Sequence, residues 1–287
     1  MAKINKLRSP ISIKAKKQFG QNFLQGTQIP EEIVKKSGVG EGDIVLEIGP
    51  GLGALTIPLA KVAKKVIAIE KDMEAAEELT RKLTALEIQN VTLHRGDILS
   101  ANLQEISEEA GQRLFVFGNL PYHISSLVLG LLANNAGYLR KATLMFQKEL
   151  ADRLIAEPGT KTYSRISVLC QFYGNVAPLL FVGAKHFFPK PKVDSQVVSI
   201  SFYHPNPHLR VDTDFFFKVV QASFGQRRKN LKNALLGSAL EFSPKEIQAA
   251  FEKTSISPSR RAETLSIDEF ILLAQTLYKT GKHKEAP

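Results

Sequence analysis

The stretch VLEIGPGLGALT, residues 45 to 56, decides the fold of this chain. It begins as an apolar strand, passes through a turn that contains Gly49, Gly51 and Gly53, and continues into a helical pattern. Glycine permits a tight turn and lets a ligand approach the backbone closely. The start of a helix adds N–H groups that have no partner within the helix. The stretch therefore predicts a strand–turn–helix unit whose turn binds a ligand.

Short apolar runs alternate with amphipathic helical stretches along most of the chain. Alternation at this spacing is typical of a doubly wound α/β sheet. We expect the last two strands to pair antiparallel at one edge, because a proline-rich loop and no long helix separates them. The predicted strands are DIVLEIG, KVIAIE, VTLHRGD, RLFVFGN, ATLMFQ, APLLFVG and SQVVSISFY, and the predicted helices between them include GALTIPLAKVA, DMEAAEELTRKLTAL and ISSLVLGLLANNA.

The pattern changes after YHPNPHLRVD, where Pro205 and Pro207 interrupt it. The predicted elements beyond this point are all helices: DTDFFFKVVQASF, KNLKNALLGSALE, SPKEIQAAFEKT and SIDEFILLAQTLYKT. We therefore expect a boundary near residue 204, which divides an α/β domain of residues 1–203 from a small all-helical domain of residues 204–287. Three residues in that second part fit helix N-terminal positions: Ser243, Pro244 and Ser266.

Composition predicts an ordinary cytoplasmic globular protein, with 44% hydrophobic and 23% charged residues among 287. No apolar run approaches the roughly 20 residues that a spanning helix needs. No apolar stretch follows the basic N-terminus as in a signal peptide. The single cysteine, Cys170, excludes an internal disulfide and a cysteine-built metal site. It lies in ISVLCQFY, so we expect a buried, unreactive thiol.

The net charge of +10 and the pI near 9.5 indicate a polyanionic partner. The excess is confined to two stretches. Residues 1–30 form a basic N-terminal segment with six Lys or Arg and no acid, and QRRKNLKN (226–233) has four with no acid. The rest of the chain is balanced. Two such clusters favour a nucleic acid over a membrane surface.

Two acidic residues follow the glycine turn at the ends of later strands. Glu70 stands about 20 residues on, where a carboxylate accepts hydrogen bonds from ribose hydroxyls. Asp97 follows the third strand and suits an exocyclic amine. The turn also satisfies the pattern G-x-G-x-x-A, so an NAD enzyme is an alternative. Against it, a charged Glu47 would repel a pyrophosphate and suit a cationic sulfonium, and no hydride-transfer acid or base is evident. S-adenosylmethionine (SAM) is therefore the favoured ligand.

The fourth strand ends in NLPY, which suits the amino group of adenine. The Asn119 side-chain carbonyl and the Leu120 main-chain carbonyl can accept its two hydrogens. Pro121 holds Leu120 extended and offers no competing N–H. Tyr122 supplies a ring on which the base can stack. Methyl transfer to such an amine is an in-line displacement in which positioning supplies much of the catalysis, so no covalent nucleophile is needed.

A second aromatic pair lies in HFFPKPKVDS (186–195). One ring, Phe187 or Phe188, can cover the other face of the base. A second stack matters because one stack contributes about 1–3 kcal/mol, comparable with the few kcal/mol needed to unstack a base. Lys190 and Lys192 beside the rings suit phosphates. The histidines show no metal-ligand spacing, so we expect no metal.

These motifs together resemble the ribosomal RNA adenine N6-dimethyltransferase family, of the bacterial small-subunit type. The resemblance implies a class I SAM-dependent methyltransferase domain followed by a small helical RNA- or ribosome-binding domain. It further implies dimethylation of two adjacent adenosines in the loop of the 3′-terminal hairpin of 16S rRNA, late in assembly of the 30S subunit. The matching segments are KKQFGQNFL, VLEIGPGLGALT, VIAIEKD, RGDIL, GNLPYHISS, FFPKPKVDS, FGQRRKNLKNAL and SPSRRAETLS.

The resemblance also assigns roles to individual residues. The family motif F-x-P-x-P-K-V-D-S places the stacking ring at Phe187 and not at Phe188. The implied SAM contacts are Asn22, Leu24, Gly49, Glu70, Asp97 and Asn119. The implied RNA contacts are Lys16, Lys17, Lys190, Lys192, Arg227, Arg228 and Lys229.

Two related functions compete with this one. A relative that dimethylates one adenosine of 23S rRNA and confers antibiotic resistance shares the catalytic motifs, although KVDS and the arginine-rich C-terminal helix argue against it. A binding protein that checks subunit assembly, with incidental methylation, is the other alternative. We expect a monomer, and the sequence leaves the order of the two methylations open.

Overall fold

The computed structural model describes residues 16, 21–121, 124–226 and 228–281. Most of the basic N-terminal segment lies outside the described residues. Three predicted site residues also lie outside them: Lys17, Tyr122 and Arg227. The strands and helices follow one another in this order: β1 (Phe23–Leu24), α1 (Gln28–Ser37), β2 (Ile44–Ile48), α2 (Thr56–Ala60), β3 (Lys65–Glu70), α3 (Met73–Ala85), β4 (Val91–Arg95), α4 (Leu103–Ala110), β5 (Leu114–Asn119), α5 (Ser125–Asn134), β6 (Leu139–Gln147), α6 (Lys148–Leu154), α7 (Arg165–Tyr173), β7 (Gly174–Val182), β8 (Phe187–Phe188), β9 (Ser195–Phe202), α8 (Thr213–Phe224), α9 (Leu231–Leu236), α10 (Pro244–Thr254) and α11 (Ile267–Gly281).

The central feature is a seven-stranded sheet in the order β4-β3-β2-β5-β6-β9-β7. The strands from β4 to β6 are parallel, and Ile48 of β2 pairs with Gly118 of β5. The doubly wound sheet predicted from the sequence is confirmed. The last two predicted strands, β7 and β9, are neighbours at one edge as expected, and their antiparallel direction stays a prediction.

Parallel alignment brings the carboxyl ends of β2, β3 and β5 to one edge of the sheet, where ligands bind in open α/β folds. All five residues of β2 are buried, so apolar packing on both faces fixes this strand in the sheet. α3 buries Ala75, Ala76, Leu79 and Leu83, a set at helical spacing, and begins at an N-cap aspartate, Asp72. These contacts hold the turn after β2 and the start of α3 in fixed positions.

The chain divides into two compact units, residues 1–148 with 178–199 and residues 149–177 with 200–287. The boundary expected near residue 204 therefore differs from the division in the structure, because α6 and α7 belong largely to the second unit. The reason is apolar packing: Phe172 of α7 stacks on Phe216 of α8 with ring centroids 4.6 Å apart. No composition change marked residues 149–177 as part of the helical unit.

The helix starts of the second unit agree with the sequence. Ser243 Oγ accepts from the Glu246 N–H, and Glu246 Oε2 accepts from the Ser243 N–H, with Pro244 in the first turn. Ser266 and Glu269 make the same reciprocal pair at the start of α11. Cys170 is buried, as expected, and burial raises the pKa of its thiol to about 12, which favours the unreactive thiol form. Among the described residues, no helix has the length and apolarity required to cross a bilayer.

Candidate active site

The glycine turn after β2 has the backbone that the sequence predicted. Gly49, Gly51 and Gly53 all have positive φ, at 63°, 54° and 84°. A Cβ at Gly49 would meet nothing within 4 Å, so the turn leaves open space there. A Cβ at Gly51 would lie 3.2 Å from the Phe23 ring. The turn is thus open at one glycine and covered by an aromatic ring at another.

Glu70 ends β3 and ties this turn to the next helix. Its two carboxylate oxygens accept from the Gly51 N–H at 2.9 Å and the Asp72 N–H at 2.8 Å. Burial raises the pKa of Glu70, and these backbone hydrogen bonds oppose the rise. A carboxylate has about four acceptor positions, so the two oxygens retain capacity for ribose hydroxyls. That role stays a prediction.

Glu47 lies in β2, one strand residue before the turn, and is only 1% exposed. Burial raises the pKa of its carboxyl to about 8, and the charge of Glu70 contributes to the rise. Oε2 has no hydrogen-bond partner among the described residues. The raised pKa favours the protonated form of the carboxyl, and the expected interaction of a charged Glu47 with a sulfonium stays a prediction.

Asp97 follows β4, and its carboxylate accepts hydrogen bonds from two donors. Its Oδ2 accepts from the Lys71 ammonium at 2.7 Å and its Oδ1 from the Leu99 N–H at 3.0 Å. The hydrogen bond from Lys71 is the main reason that the pKa of Asp97 is lowered. An exocyclic amine at Asp97 would therefore share the carboxylate with Lys71, a partner that the sequence did not indicate.

Asn119 ends β5 beside the glycine turn, because Gly118 pairs with Ile48 across the two strands. Its side-chain Nδ2 donates to the Asn22 main-chain carbonyl at 2.9 Å. This bond fixes the orientation of the carboxamide and leaves Oδ1 as the acceptor. The Leu120 side chain is buried, and no described residue donates to the Leu120 carbonyl. Both oxygens are thus left available as acceptors, and their role toward adenine stays a prediction.

A minor two-stranded sheet holds the aromatic pair against the N-terminal segment. Leu24 of β1 pairs with Phe187 of β8, and Phe23 pairs with Phe188. Immediately after β1, the Gln25 N–H donates to the His186 carbonyl at 2.8 Å. Asn22 and Leu24, predicted to contact the cofactor, are thus brought between Asn119 and the 187–188 strand.

The two phenylalanines of β8 have different surroundings. Phe187 is 3% exposed and belongs to the apolar core of the first unit, whereas Phe188 is 49% exposed. The structure therefore shows the ring favoured by the family motif in a buried position. Its assignment as the stacking ring stays a prediction.

The predicted RNA contacts fall in three places. Lys190 and Lys192 are exposed on the loop of the first unit that precedes β9, and Arg228 and Lys229 are exposed in the second unit before α9. Lys16 differs, because its ammonium lies 2.8 Å from Asp72 Oδ1 and 3.0 Å from Glu74 Oε1. Its contact with RNA stays a prediction.

Sequence reasoning missed three residues of the site. Asp72 and Gln21 hydrogen-bond each other at 2.8 Å across 51 residues of chain, and only the helix N-cap pattern after β3 pointed to Asp72. Gly118 allows β5 to approach β2, since a Cβ there would lie 3.1 Å from the Ile48 carbonyl oxygen. Among the described residues, no group of three or more His, Cys, Asp or Glu is placed to hold a metal.

Comparison with known proteins identifies the family. The family described as ribosomal RNA adenine dimethylase matches residues 12–279 of this chain. The chain belongs to the ribosomal RNA adenine dimethylase family. This dimethylase is 43% identical over 271 residues to the ribosomal RNA small subunit methyltransferase A of Desulforapulum autotrophicum, covering 94% of this chain and 95% of the relative. It is 41% identical over 269 residues to the protein of that name from Bacillus cytotoxicus, covering 91% of each.

Solved structures agree with the fold of this dimethylase. A dimethyladenosine transferase from Plasmodium falciparum superposes with a TM-score of 0.78 at 26% identity, covering 90% of this chain and 98% of that one. The 23S rRNA methyltransferase ErmE has a TM-score of 0.69 at 23% identity, covering 89% and 99%, and shares the fold. The class I methyltransferase fold with a helical second part is confirmed. Membership in a methyltransferase family overturns the dehydrogenase alternative.

Proposed function

We propose that this dimethylase uses SAM to convert two adjacent adenosines of 16S rRNA to N6,N6-dimethyladenosine in the assembling 30S subunit. The target is the loop of the 3′-terminal hairpin, and the reaction belongs late in ribosome assembly in the cytoplasm. The observation that carries the proposal is the bond from Asn119 to the Asn22 carbonyl, because it aims Oδ1 as an acceptor beside the glycine turn. Two relatives named for the small subunit support the choice of rRNA.

The first pocket fits a nucleoside with a charged amino-acid tail. Gly49 leaves open space at the turn, and Glu70 retains acceptor positions for ribose hydroxyls. Glu47 offers a buried oxygen without a partner among the described residues. When bound, SAM supplies a methyl group already activated on a sulfonium. The residues of this pocket therefore bind and orient SAM, and a metal is not required for that chemistry.

The second pocket fits the amino group of adenine. Asn119 Oδ1 and the Leu120 carbonyl accept the two N6 hydrogens, which favours a pyramidal nitrogen with its lone pair directed at the methyl carbon. Each transfer would form one N–C bond and break the S–CH3 bond of SAM, so that the demethylated cofactor leaves as a neutral thioether and one N6 proton is released. After the first methylation one hydrogen remains on N6, so a single acceptor suffices for the second. Positioning of this kind accounts for large rate accelerations without a covalent intermediate.

The target base has to leave its stack to reach this pocket, which favours a loop over a duplex. Tyr122 and Phe187 are the proposed stacking rings. Lys190, Lys192, Arg228 and Lys229 are exposed and suited to phosphates. Phosphate contacts position the RNA without reading its sequence. Selection among adenosines is therefore assigned to the shape of the assembling subunit, and the dimethylase acts as a monomer.

The test is transfer of labelled methyl from SAM to small subunits that lack the modification, followed by mapping of the modified nucleotides. The variant Asn119→Ala is expected to bind subunits normally and to transfer methyl at least about 100-fold more slowly, as misplaced reactants do. The matched control is Asn134→Ala, an exposed asparagine at the end of α5, with full activity expected.

Each other outcome contradicts a defined part of the proposal. Retained transfer by Asn119→Ala contradicts the acceptor role of that residue. Methylation of 23S rRNA in place of 16S rRNA favours the antibiotic-resistance relative. Normal subunit binding by the wild-type protein without any transfer favours the assembly-factor alternative.

A further inference from the structure

Asp72, the N-cap of α3, accepts more hydrogen bonds than a helix N-cap usually does. An ordinary cap accepts one backbone N–H, and Asp72 does accept from the Glu74 N–H at 3.1 Å. In addition it accepts from the Lys16 ammonium at 2.8 Å and from the Gln21 side-chain amide at 2.8 Å. The residue is only 2% exposed. A capping role alone explains neither the burial nor the two donors from the N-terminal segment.

Gln21 connects Asp72 to the backbone of that segment. Its Nε2 donates to Asp72 while its Oε1 accepts from the Lys16 main-chain N–H at 2.8 Å. Both ends of the carboxamide are therefore used, which fixes the side chain. The next residue, Asn22, supplies the carbonyl that orients Asn119. Adjacent residues thus make the Asp72 contact and the Asn119 contact.

The same segment touches the other walls of the two pockets. The Phe23 ring covers Gly51 of the turn, and β1 pairs with β8, which contains Phe187. Asp72 itself donates its N–H to Glu70, the residue proposed to bind ribose. Asp72 therefore stands where the cofactor side of the site and the N-terminal segment meet.

We infer that Asp72 is a positioning residue. Its hydrogen bonds with Lys16 and Gln21, called the clasp below, hold residues 21–25 over the two pockets and thereby couple cofactor binding to the orientation of Asn119. This inference rests on the proposed function. It also assigns Lys16 to the clasp, in place of the RNA contact that the family resemblance implied. The burial of Asp72 opposes ionisation, but the hydrogen bonds from Lys16 and Gln21 outweigh it, and the pKa of Asp72 is lowered. The clasp is accordingly intact at neutral pH.

The variant Asp72→Asn separates the clasp from the cap. Asparagine caps helices as well as aspartate does, and its Oδ1 can still accept from the Glu74 N–H and from Lys16. Its amide nitrogen, however, cannot accept from Gln21, and the negative charge opposite the Lys16 ammonium is lost. Loss of hydrogen bonds to a charged group predicts a cofactor Kd raised roughly tenfold or more. At saturating SAM we also expect a kcat reduced about tenfold, because Asn119 loses its fixed orientation, a misplacement to which rates respond steeply.

The matched control is Asp212→Asn. Asp212 caps α8 through the Phe215 N–H at 2.8 Å and belongs to the second unit. The control is expected to leave Kd and kcat unchanged. If both variants lower the melting temperature equally and neither alters Kd or kcat, Asp72 is only a cap and the inference is overturned.

A second substitution tests the contact itself. In the background of Asp72→Asn, the change Gln21→Glu provides a carboxylate that accepts from the new amide and from Lys16. We expect the double variant to recover most of the cofactor affinity and kcat. Gln21→Glu alone places two carboxylates together and should weaken cofactor binding. A double variant worse than either single variant overturns the inference.

Lys16→Met distinguishes the clasp from an RNA contact. A clasp residue predicts weaker cofactor binding with an unchanged salt dependence of subunit binding, whereas a phosphate contact predicts the reverse. The two levels of the hypothesis fail differently. If the wild-type protein transfers no methyl to 16S rRNA, the proposed function is wrong. If the wild-type protein transfers methyl and the Asp72→Asn variant is fully active, only the inference about Asp72 is wrong.

Discussion

At the scale of single residues, Phe187 and Phe188 show how neighbours in one short strand come to differ. Successive side chains of a strand point to opposite faces, so Phe187 is buried in the first core while Phe188 is 49% exposed. Burial of Phe187 means that its removal would also cost stability. A substitution that keeps a large apolar side chain is therefore needed to test a stacking role.

We expect Phe187→Leu to reduce methyl transfer at saturating SAM by about tenfold, since a base–aromatic stack contributes about 1–3 kcal/mol. Phe188→Leu, the matched control, should stay within about twofold, well below the effect of a lost stack. Single-turnover transfer to unmodified subunits measures both. If Phe188→Leu is the slower variant, the exposed ring stacks on the base and the choice of Phe187 is wrong.

Glu47 makes stability depend on pH in a predictable direction. Its pKa is about 8 in the folded chain and about 4.3 in an unfolded one. Between these values the folded state holds a proton that the unfolded state has lost, so the stabilisation from this proton declines as pH rises through that window. Glu47→Gln removes the titration and keeps the size of the side chain.

The melting temperature of the wild-type protein should therefore fall more steeply than that of Glu47→Gln between about pH 5 and about pH 8. A difference of at least 2–4 °C is expected, roughly what 1 kcal/mol produces in a domain of this size. Calorimetry at several pH values measures it. Parallel pH profiles for the two proteins would show that Glu47 is charged in the folded state.

At the scale of elements, the strand–turn–helix unit from β2 to α2 depends on Gly53 for two separate reasons. Its φ of 84° disfavours any side chain, and a Cβ there would lie 2.6 Å from Leu79 Cδ1 of α3. Gly111, which ends α4, has a φ of 66° but nothing within 4 Å of a Cβ. The pair therefore separates backbone strain from crowding.

Gly111→Ala should reduce the free energy of unfolding by about 1–2 kcal/mol, the usual penalty for a left-handed backbone. Gly53→Ala should cost a further 1–3 kcal/mol or so, because Leu79 is fully buried and overpacking has that effect. Urea denaturation at equilibrium measures both. Equal losses would mean that Leu79 moves aside freely.

Elements with strong periodicity were predictable, and short ones were not. β3 and α3 follow from their apolar patterns to within a residue or two. The helix expected over residues 53–63 is only Thr56–Ala60, because the positive-φ glycines extend the turn. β1 and β8 have two residues each, too few for any periodic signal. The contact of Lys16 with Asp72 spans 56 residues, which local pattern cannot reveal.

At the scale of the whole molecule, the charge excess is the feature that bears on RNA binding. Arg228 and Lys229 are exposed and lie in one of the two basic stretches. Each phosphate contact steepens the dependence of log K on log salt by about 0.7–0.9. Lys35 and Lys36, exposed at the end of α1, provide a control pair of equal charge from outside those stretches.

The variant with both Arg228→Ala and Lys229→Ala should bind subunits more weakly, with a slope shallower by up to about 2. The Lys35→Ala and Lys36→Ala pair should leave the slope unchanged. Titrations of unmodified subunits at several salt concentrations provide the comparison. An unaltered slope in the first variant would mean that Arg228 and Lys229 do not contact phosphates.

The helical unit is assembled from two separate pieces of chain, residues 149–177 and those from 200 onward. Truncation of the chain near residue 204 would consequently remove most of the apolar partners of three buried residues, Tyr163, Val168 and Phe172. A fragment that carries this unit has to be spliced from both pieces, with a new linker in place of residues 178–199.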